Sequence, residues 1–210
     1  MSGSLTRRDA LVALSLSLAL APGAAGALTA DDQALVARAV AYLDGLTSVK
    51  SRFVQSDQRG DVAAGTLWLA RPGRARFEYD PPVGLLITSD GKTVIVTNSR
   101  LKTFQRLPLS STPLAVFLAQ HVRLDRGARV TRVDRVPDGF SITARDSRGL
   151  AQGEITLYFL EAPLRLTGWA IIDAQARLTR VTLASLAPTA IPPAYLFTQV
   201  PGVGALPPGM

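Results

Sequence analysis

The side chains that most often carry out catalysis are scarce in this sequence. Histidine occurs once, at His121, cysteine is absent, and there is no Gly-x-Ser-x-Gly motif. Metal sites or proton relays built from several histidines are therefore not expected, nor are the common thiol and serine nucleophiles. His121 follows a helical pattern and is interpreted as a helix-end residue. This inventory favours a binding protein over an enzyme, and it predicts neither a metal nor another cofactor.

One arginine stands out because its neighbours are apolar. Leu67 and Leu69 share one face of a predicted strand, and Arg71 follows on the same face just before a Pro72-Gly73 turn. A guanidinium has five N–H donors and no acceptor, so it could satisfy backbone carbonyls at a helix end or in a loop. Alternatively, Arg71 extends from the sheet edge to solvent along its apolar stem.

The strand after this turn has an apolar face, and Arg71 is expected to lie beside it. In residues 74–80, Ala75, Phe77 and Tyr79 alternate with charged residues, so the apolar side chains share one face. That face has two interpretations. It is either a packed core or the wall of a cavity for an apolar ligand, since barrels with helical covers commonly bind one.

Two helices are predicted to cover the sheet. The first begins after a Thr29 cap with acidic residues in its first turn, and an apolar stripe at helical spacing extends to Leu46. The second opens at Ser111-Thr112-Pro113, where a hydroxyl cap precedes a proline. Its apolar stripe consists of Leu114, Phe117 and Leu118.

Short runs separated by turn residues predict an antiparallel sheet. The predicted strands are 51–57, 65–70, 74–79, 84–88, 93–97, 102–107, 128–136, 140–144, 154–159, 164–173 and 178–187. A sheet of that length curls, so we predict a mainly β (α+β) barrel or half-barrel with helices on its open side. No linker is long enough to divide residues 28–210, which are predicted to form a single domain.

Residues 1–27 are predicted to be a signal peptide. Arg7 and Arg8 precede a short apolar run, and the segment ends in Ala25-Gly26-Ala27. A general secretory signal and a twin-arginine signal fit equally well. The chain carries +7 and the leader +1, from Arg7, Arg8 and Asp9, which leaves +6 on the remainder. Export without a cysteine for lipidation predicts a periplasmic location.

The positive charge consists mainly of arginines spread over several strands. We interpret them as solvated strand faces, with an acidic partner or an anionic membrane surface as the alternative. Arginines between positions 74 and 135 could form a basic stripe, but export from the cytoplasm argues against a nucleic-acid partner.

Five short motifs follow one another in a specific order. They are Phe53-Val54-Gln55, Gly65-x-Leu67-Trp68-Leu69-x-Arg71-Pro72, Arg76-Phe77-x-Tyr79-x-x-Pro82, Ser89-Asp90-Gly91-Lys92 and Thr112-Pro113-Leu114. Their order and spacing resemble the periplasmic outer-membrane lipoprotein carrier family. The resemblance covers residues 35–118, and beyond them only the succession of strands is similar. The family commonly has tryptophan where Phe77 stands, and an aromatic ring is retained.

The resemblance implies an open antiparallel half-barrel of about eleven strands with an α-helical lid over a hydrophobic cavity. It also implies that Arg71 hydrogen-bonds to the lid backbone in the closed form and acts as a latch. The residues it implies for the wall that contacts acyl chains are Phe53, Leu67, Leu69, Phe77, Tyr79, Leu114, Phe117 and Leu118.

The same resemblance implies a monomeric periplasmic chaperone. It would accept lipoproteins from an inner-membrane ATP-driven release complex and deliver them to an outer-membrane receptor or to the outer-membrane lipid surface. The alternative on the same half-barrel is a sensor or receptor domain that binds lipid or lipoprotein without shuttling it. The C-terminal part is divergent, and residues 203–210 are not expected to supply the final strand that some members have.

Overall fold

The computed structural model describes residues 28–122, 128–147 and 153–198. The predicted signal peptide (residues 1–27) and the C-terminal tail (residues 203–210) lie outside the described residues. Among the helices in the described part of the chain, none combines the length and the apolarity that crossing a membrane requires.

Helix α1 (Ala30–Gly45) agrees with the prediction to within one residue. The Thr29 hydroxyl accepts a hydrogen bond from the backbone N–H of Asp32, and the Asp32 carboxylate accepts one from the N–H of Thr29. This capping box satisfies donors that would otherwise lack a partner at the helix start. Leu35, Ala39 and Leu43 form the buried stripe, which fixes the face that α1 turns toward the sheet.

Within the described residues, twelve strands form one antiparallel sheet. They are β1 (Ser48–Asp57), β2 (Val62–Ala70), β3 (Arg74–Tyr79), β4 (Leu85–Asp90), β5 (Thr93–Asn98), β6 (Thr103–Pro108), β7 (Ala128–Val136), β8 (Gly139–Asp146), β9 (Glu154–Glu161), β10 (Leu164–Ile172), β11 (Leu178–Leu183) and β12 (Ala187–Pro188). The order is β6-β5-β4-β3-β2-β1-β11-β10-β9-β8-β7, with β12 beside β1. β6 and β7 stand at the two ends of this order, so the predicted open antiparallel sheet is confirmed.

The strand predicted at 178–187 is divided in two. β11 pairs with the second half of β1, the chain leaves the sheet at 184–186, and β12 returns beside Val49 and Lys50. The described part of the sheet therefore contains twelve strands, one more than the eleven predicted ranges. The break does not show in the apolar pattern, because Leu186 still packs against the core.

The core lies between α1 and the inner face of the sheet, by which we mean the face that carries Phe53, Leu67 and Phe77. These three side chains are at most 5% exposed. Gly65 leaves room for one of them, since a Cβ there would lie 2.7 Å from Cζ of Phe53. Burial of this apolar surface beneath α1 is the main force that closes the half-barrel.

Part of the outer face is covered by the C-terminal segment. A 3-10 turn (Ala194–Phe197) packs on β3 and β4, where Nη1 of Arg76 donates to the carbonyl of Leu196 over 3.0 Å. The guanidinium of Arg74 lies 5.5 Å from the centroid of the Phe197 ring. Arg76 is buried as a result. The expectation that the outer arginines are solvated is therefore wrong at Arg76, because a segment distant in sequence covers it.

Candidate functional site

The side chain of Arg71 is buried, and it donates to two helix ends. Its Nη1 donates to the carbonyl of Leu43 in the last turn of α1, and its Nη2 donates to the carbonyl of Ala119 over 2.5 Å. Ala119 directly follows the short helix α2 (Leu114–Leu118). The Arg71 side chain is only 5% exposed, so it does not extend to solvent. We call α1 and residues 112–122 the lid, and Arg71 joins its two parts to the end of β2.

Asp44 contacts the same guanidinium. Its Oδ1 lies 3.3 Å from Nη2 of Arg71 and accepts a hydrogen bond of 2.9 Å from the backbone N–H of Val122. The exposed ring of His121, whose Nδ1 lies 3.8 Å from Oδ2 of Asp44, stands just beyond the end of α2. Burial lowers the pKa of Arg71, and the hydrogen bond and charge of Asp44 oppose that shift. Sequence reasoning missed Asp44, because helical periodicity does not mark it.

The closed arrangement leaves one donor unused. Nε of Arg71 is buried and has no hydrogen-bond partner among the described residues. A buried donor without a partner costs about 1–3 kcal/mol, which offsets part of the stabilisation from the other bonds. The hydrogen bonds of Arg71 therefore stabilise this arrangement by less than their number suggests.

Two hairpin turns pack together beside Arg71. The backbone N–H of Gly73 donates to the carbonyl of Leu118 and the hydroxyl of Ser89 donates to the carbonyl of Gly73, each over 2.7 Å. Gly73 has φ +75°, and a Cβ there would lie 2.5 Å from Cα of Gly91, so no larger residue fits. The Arg71-Pro72 and Ser89-Asp90-Gly91 motifs thus form one platform on which the end of α2 rests.

The predicted wall residues lie together. The Phe53 ring centroid is 5.1 Å from that of Tyr79 and 5.8 Å from that of Phe77, and both pairs meet edge to face. The remaining predicted wall residues also belong to this core or, at Leu114, pack against it: Leu67, Leu69, Leu114, Phe117 and Leu118. The structure therefore brings all eight wall residues and Arg71 into one region, and their contact with acyl chains stays a prediction.

Trp169, which sequence reasoning missed, links the lid to the sheet. Its ring centroid lies 6.0 Å from that of Phe77 on β3 and 5.7 Å from that of Phe117 on α2, and the residue is 2% exposed. An irregularity in the pairing of β10 between Leu166 and Gly168 shifts the alternation. Leu166 and Trp169 consequently both lie in the core although three positions separate them, so strict alternation could not assign Trp169 to the inner face.

The second helix is short, and hydroxyl groups do not cap it. Pro113 occupies the N-cap position of a five-residue helix. The hydroxyls of Ser111 and Thr112 instead donate to the carbonyls of Pro108 and Leu109 over 2.7 and 2.8 Å, across a preceding 3-10 turn. The predicted hydroxyl cap is therefore wrong, because carbonyls of that turn engage both hydroxyls. Burial of Phe117 and Leu118 holds α2 in place.

A polar pair interrupts the apolar interior at the end of the sheet opposite Arg71. The hydroxyl of Tyr79 donates to Oε1 of Gln55 over 2.6 Å. Burial raises the pKa of Tyr79 to about 12, although the hydrogen bond to Gln55 acts in the other direction. The Tyr79 ring is thus kept neutral and packed on Phe53, while its hydroxyl has a partner.

We expect Tyr79 to make the protein less stable above pH 10. The unfolded chain loses the phenolic proton near pH 10, whereas the folded protein keeps it until about pH 12. The contribution of Tyr79 to the free energy of unfolding should therefore be fully present below pH 10. The free energy of unfolding should then fall by about 2–3 kcal/mol as the pH rises to about 12. Urea unfolding at pH 8 and pH 11 measures this. In Tyr79→Phe the fall should be smaller, and an equal fall would contradict the assignment.

Within the described ranges, no three His, Asp or Glu side chains come close enough to hold a metal ion. The chemistry that the arrangement offers is apolar contact with the interior and hydrogen bonding at its rim. An aromatic interior lies under a lid that one guanidinium and one carboxylate tie to the rim.

The fold and this region define an open antiparallel half-barrel closed by a helical lid. The family model described as outer membrane lipoprotein carrier protein LolA matches residues 44–200. The chain therefore belongs to this family, as the motifs from Phe53 to Leu114 predict.

Two curated relatives carry the name of this family. An outer-membrane lipoprotein carrier protein of Chromobacterium violaceum is 30% identical over 122 residues, which are 55% of this chain and 59% of that protein. A protein of the same name from Alkalilimnicola ehrlichii is 34% identical over 96 residues, which are 43% of this chain and 42% of that one. The chain thus spans about half the length of these relatives. A crystal structure of a LolA superfamily protein from Nitrosomonas europaea aligns with TM-score 0.45 and 12% identity, covering 78% of this chain and 97% of that one.

Proposed function

We propose that this protein is a periplasmic carrier that binds the acyl chains of lipoproteins. The observation that carries the proposal is the pair of hydrogen bonds from Arg71 to the carbonyls of Leu43 and Ala119, over an interior of aromatic and aliphatic side chains. A packed core alone does not require a buried guanidinium that joins two helix ends. Such a group is useful where two covering elements must separate and return.

The physical logic is a competition between cargo and lid. Each methylene of an acyl chain that leaves water contributes about 0.8 kcal/mol, so the free chains cannot cross an aqueous compartment unaided. Entry requires the lid to move off Phe77 and Trp169 and to break the hydrogen bonds of Arg71. The closed state thereby weakens cargo binding, and transfer to a tighter acceptor becomes favourable.

The partners follow from this function. We propose that the cargo arrives from an inner-membrane ATP-driven release complex and leaves to an outer-membrane receptor or lipid surface. The carrier acts as a monomer and without catalysis. Its family and the carrier names of its relatives support this assignment. The predicted signal peptide supports a periplasmic location.

Trp169 provides a direct test of acyl-chain binding. The chain has two tryptophans, Trp68 and Trp169, so Trp68→Phe leaves one reporter under the lid. A triacylated lipopeptide should displace the Phe117 ring from Trp169 and produce a saturable change in emission. The same peptide without acyl chains is the control and should leave the emission unchanged. Equal responses to both peptides would contradict acyl-chain binding.

A second measurement separates a carrier from a sensor. Spheroplasts that hold a labelled lipoprotein are incubated with the protein, and the lipoprotein in the supernatant is measured. A carrier should release it in a soluble complex, whereas a sensor on the same half-barrel binds the lipopeptide but releases nothing.

A further inference from the structure

The hairpin of β5 and β6 presents a leucine to solvent at its tip. Leu101 is 71% exposed, a greater fraction than any other large hydrophobic side chain in the described ranges. Oδ1 of Asn98 accepts hydrogen bonds of 3.0 Å from the backbone N–H groups of both Arg100 and Leu101. Lys102 follows with φ +54°, a conformation that a residue with a side chain seldom adopts. The exposed leucine therefore belongs to an ordered turn.

Charge and aromatic character continue along β6. Residues 93–108 contain Arg100, Lys102 and Arg106 but no aspartate or glutamate, so the hairpin carries +3. The guanidinium of Arg106 lies 6.0 Å from the ring centroid of Phe104, which is 43% exposed. No carboxylate of the described residues forms an ion pair with any of the three cations.

The hairpin is also joined to the neighbouring loop. Nη1 of Arg100 donates to the carbonyl of Pro82 over 3.1 Å, and the backbone N–H of Ser99 donates to the carbonyl of Gly84 over 2.9 Å. Register places this tip at the end of the sheet where Tyr79 lies, away from the Arg71 platform. A surface that contacts this tip would therefore leave the latch uncovered.

We infer that the β5–β6 tip docks the empty protein on an anionic phospholipid surface. Cations near such a surface gain electrostatic attraction, and exposed leucine and aromatic side chains enter the region between the headgroups and the acyl chains. The three cations match the negative charge, and Leu101 and Phe104 supply the apolar contact. This inference specifies the lipid surface named in the proposed function and rests on it to that extent, but docking itself does not require acyl-chain binding.

Sedimentation with vesicles tests the inference, using the protein without cargo. The protein should bind vesicles of phosphatidylethanolamine and phosphatidylglycerol more strongly than vesicles of phosphatidylcholine. Binding to the anionic vesicles should weaken in about 0.5 M salt, because salt at that concentration screens the charges strongly. We expect Leu101→Ser to reduce partitioning about fivefold and Lys102→Gln with Arg106→Gln to reduce it about 25-fold. Absence of wild-type binding to the anionic vesicles would overturn the inference.

The matched controls lie at the opposite end of the sheet. Val136 is 55% exposed, and Lys92 is an exposed cation in the β4–β5 turn, so Val136→Ser and Lys92→Gln remove the same kinds of group. Both should bind vesicles like the wild type. Equal losses of vesicle binding in the control variants and the tip variants would overturn the assignment to the tip.

A dimer in solution that Leu101→Ser abolishes would instead assign the tip to contact between two copies of the chain. The Trp169 assay reports acyl-chain binding separately, without vesicles.

Discussion

The Arg71→Leu variant should bind lipoprotein more tightly than the wild type and transfer it more slowly to an acceptor. The substitution removes the hydrogen bonds to the carbonyls of Leu43 and Ala119 and the contact with Asp44. Hydrogen bonds from a charged donor contribute about 1.5–3 kcal/mol each, and the unsatisfied Nε offsets part of that. A net loss of about 2 kcal/mol from the closed state would tighten acyl-chain binding about thirtyfold. Titration with a triacylated lipopeptide measures the affinity, and transfer to an acceptor in a reconstituted assay measures the handover.

Arg52 supplies the matched control. It stands on the outer face, half-exposed, and pairs with Asp80 without contacting the lid. Exposed ion pairs contribute little, so Arg52→Leu should leave affinity and transfer unchanged. Arg71→Lys keeps the charge but not the forked geometry that reaches two carbonyls, and should be intermediate. If Arg71→Leu transfers cargo like the wild type, the latch does not exist.

Trp169→Ala should cause the largest loss of stability of any change proposed for this chain. Removing a fully buried aromatic side chain costs about 3–5 kcal/mol, because the cavity that remains collapses only partly. Here the loss would also separate Phe117 of α2 from Phe77 of β3, so the lid should close less tightly. Urea unfolding gives the free energy, and hydrogen exchange in residues 114–122 reports the lid.

Trp68, the other tryptophan, supplies the control for Trp169→Ala. Trp68 is half-buried on the outer face, with Nζ of Lys50 5.0 Å from its ring centroid. Trp68→Ala should cost about 1–2 kcal/mol and leave exchange in the lid unchanged. Equal effects of the two substitutions on stability and on lid exchange would show that Trp169 has no special connection with the lid.

Sequence reasoning succeeded where the signal is local. The Thr29 cap, the turn at Pro72-Gly73 and the Asp90-Gly91 hairpin depend on residues a few positions apart, and each forms as predicted. Alternation assigned Phe77 and Tyr79 to the inner face correctly, because β3 pairs regularly on both sides. Strict alternation does not hold on β10, where one irregularity in pairing lets Leu166 and Trp169 share the inner face.

The sequence by itself determined the kind of fold and the oddity of Arg71. A short-range pattern decides which residues are helical, extended or in turns, and it shows that a guanidinium lies on an apolar face. A short-range pattern could not identify the hydrogen-bond partners of that guanidinium. Leu43 and Ala119 lie 28 and 48 positions from Arg71, and only the packing of α1 and α2 on the sheet brings their carbonyls to one point. The tertiary structure also decided that Asp44 joins them and that Arg76 is covered by the C-terminal segment, because both contacts depend on how distant segments meet.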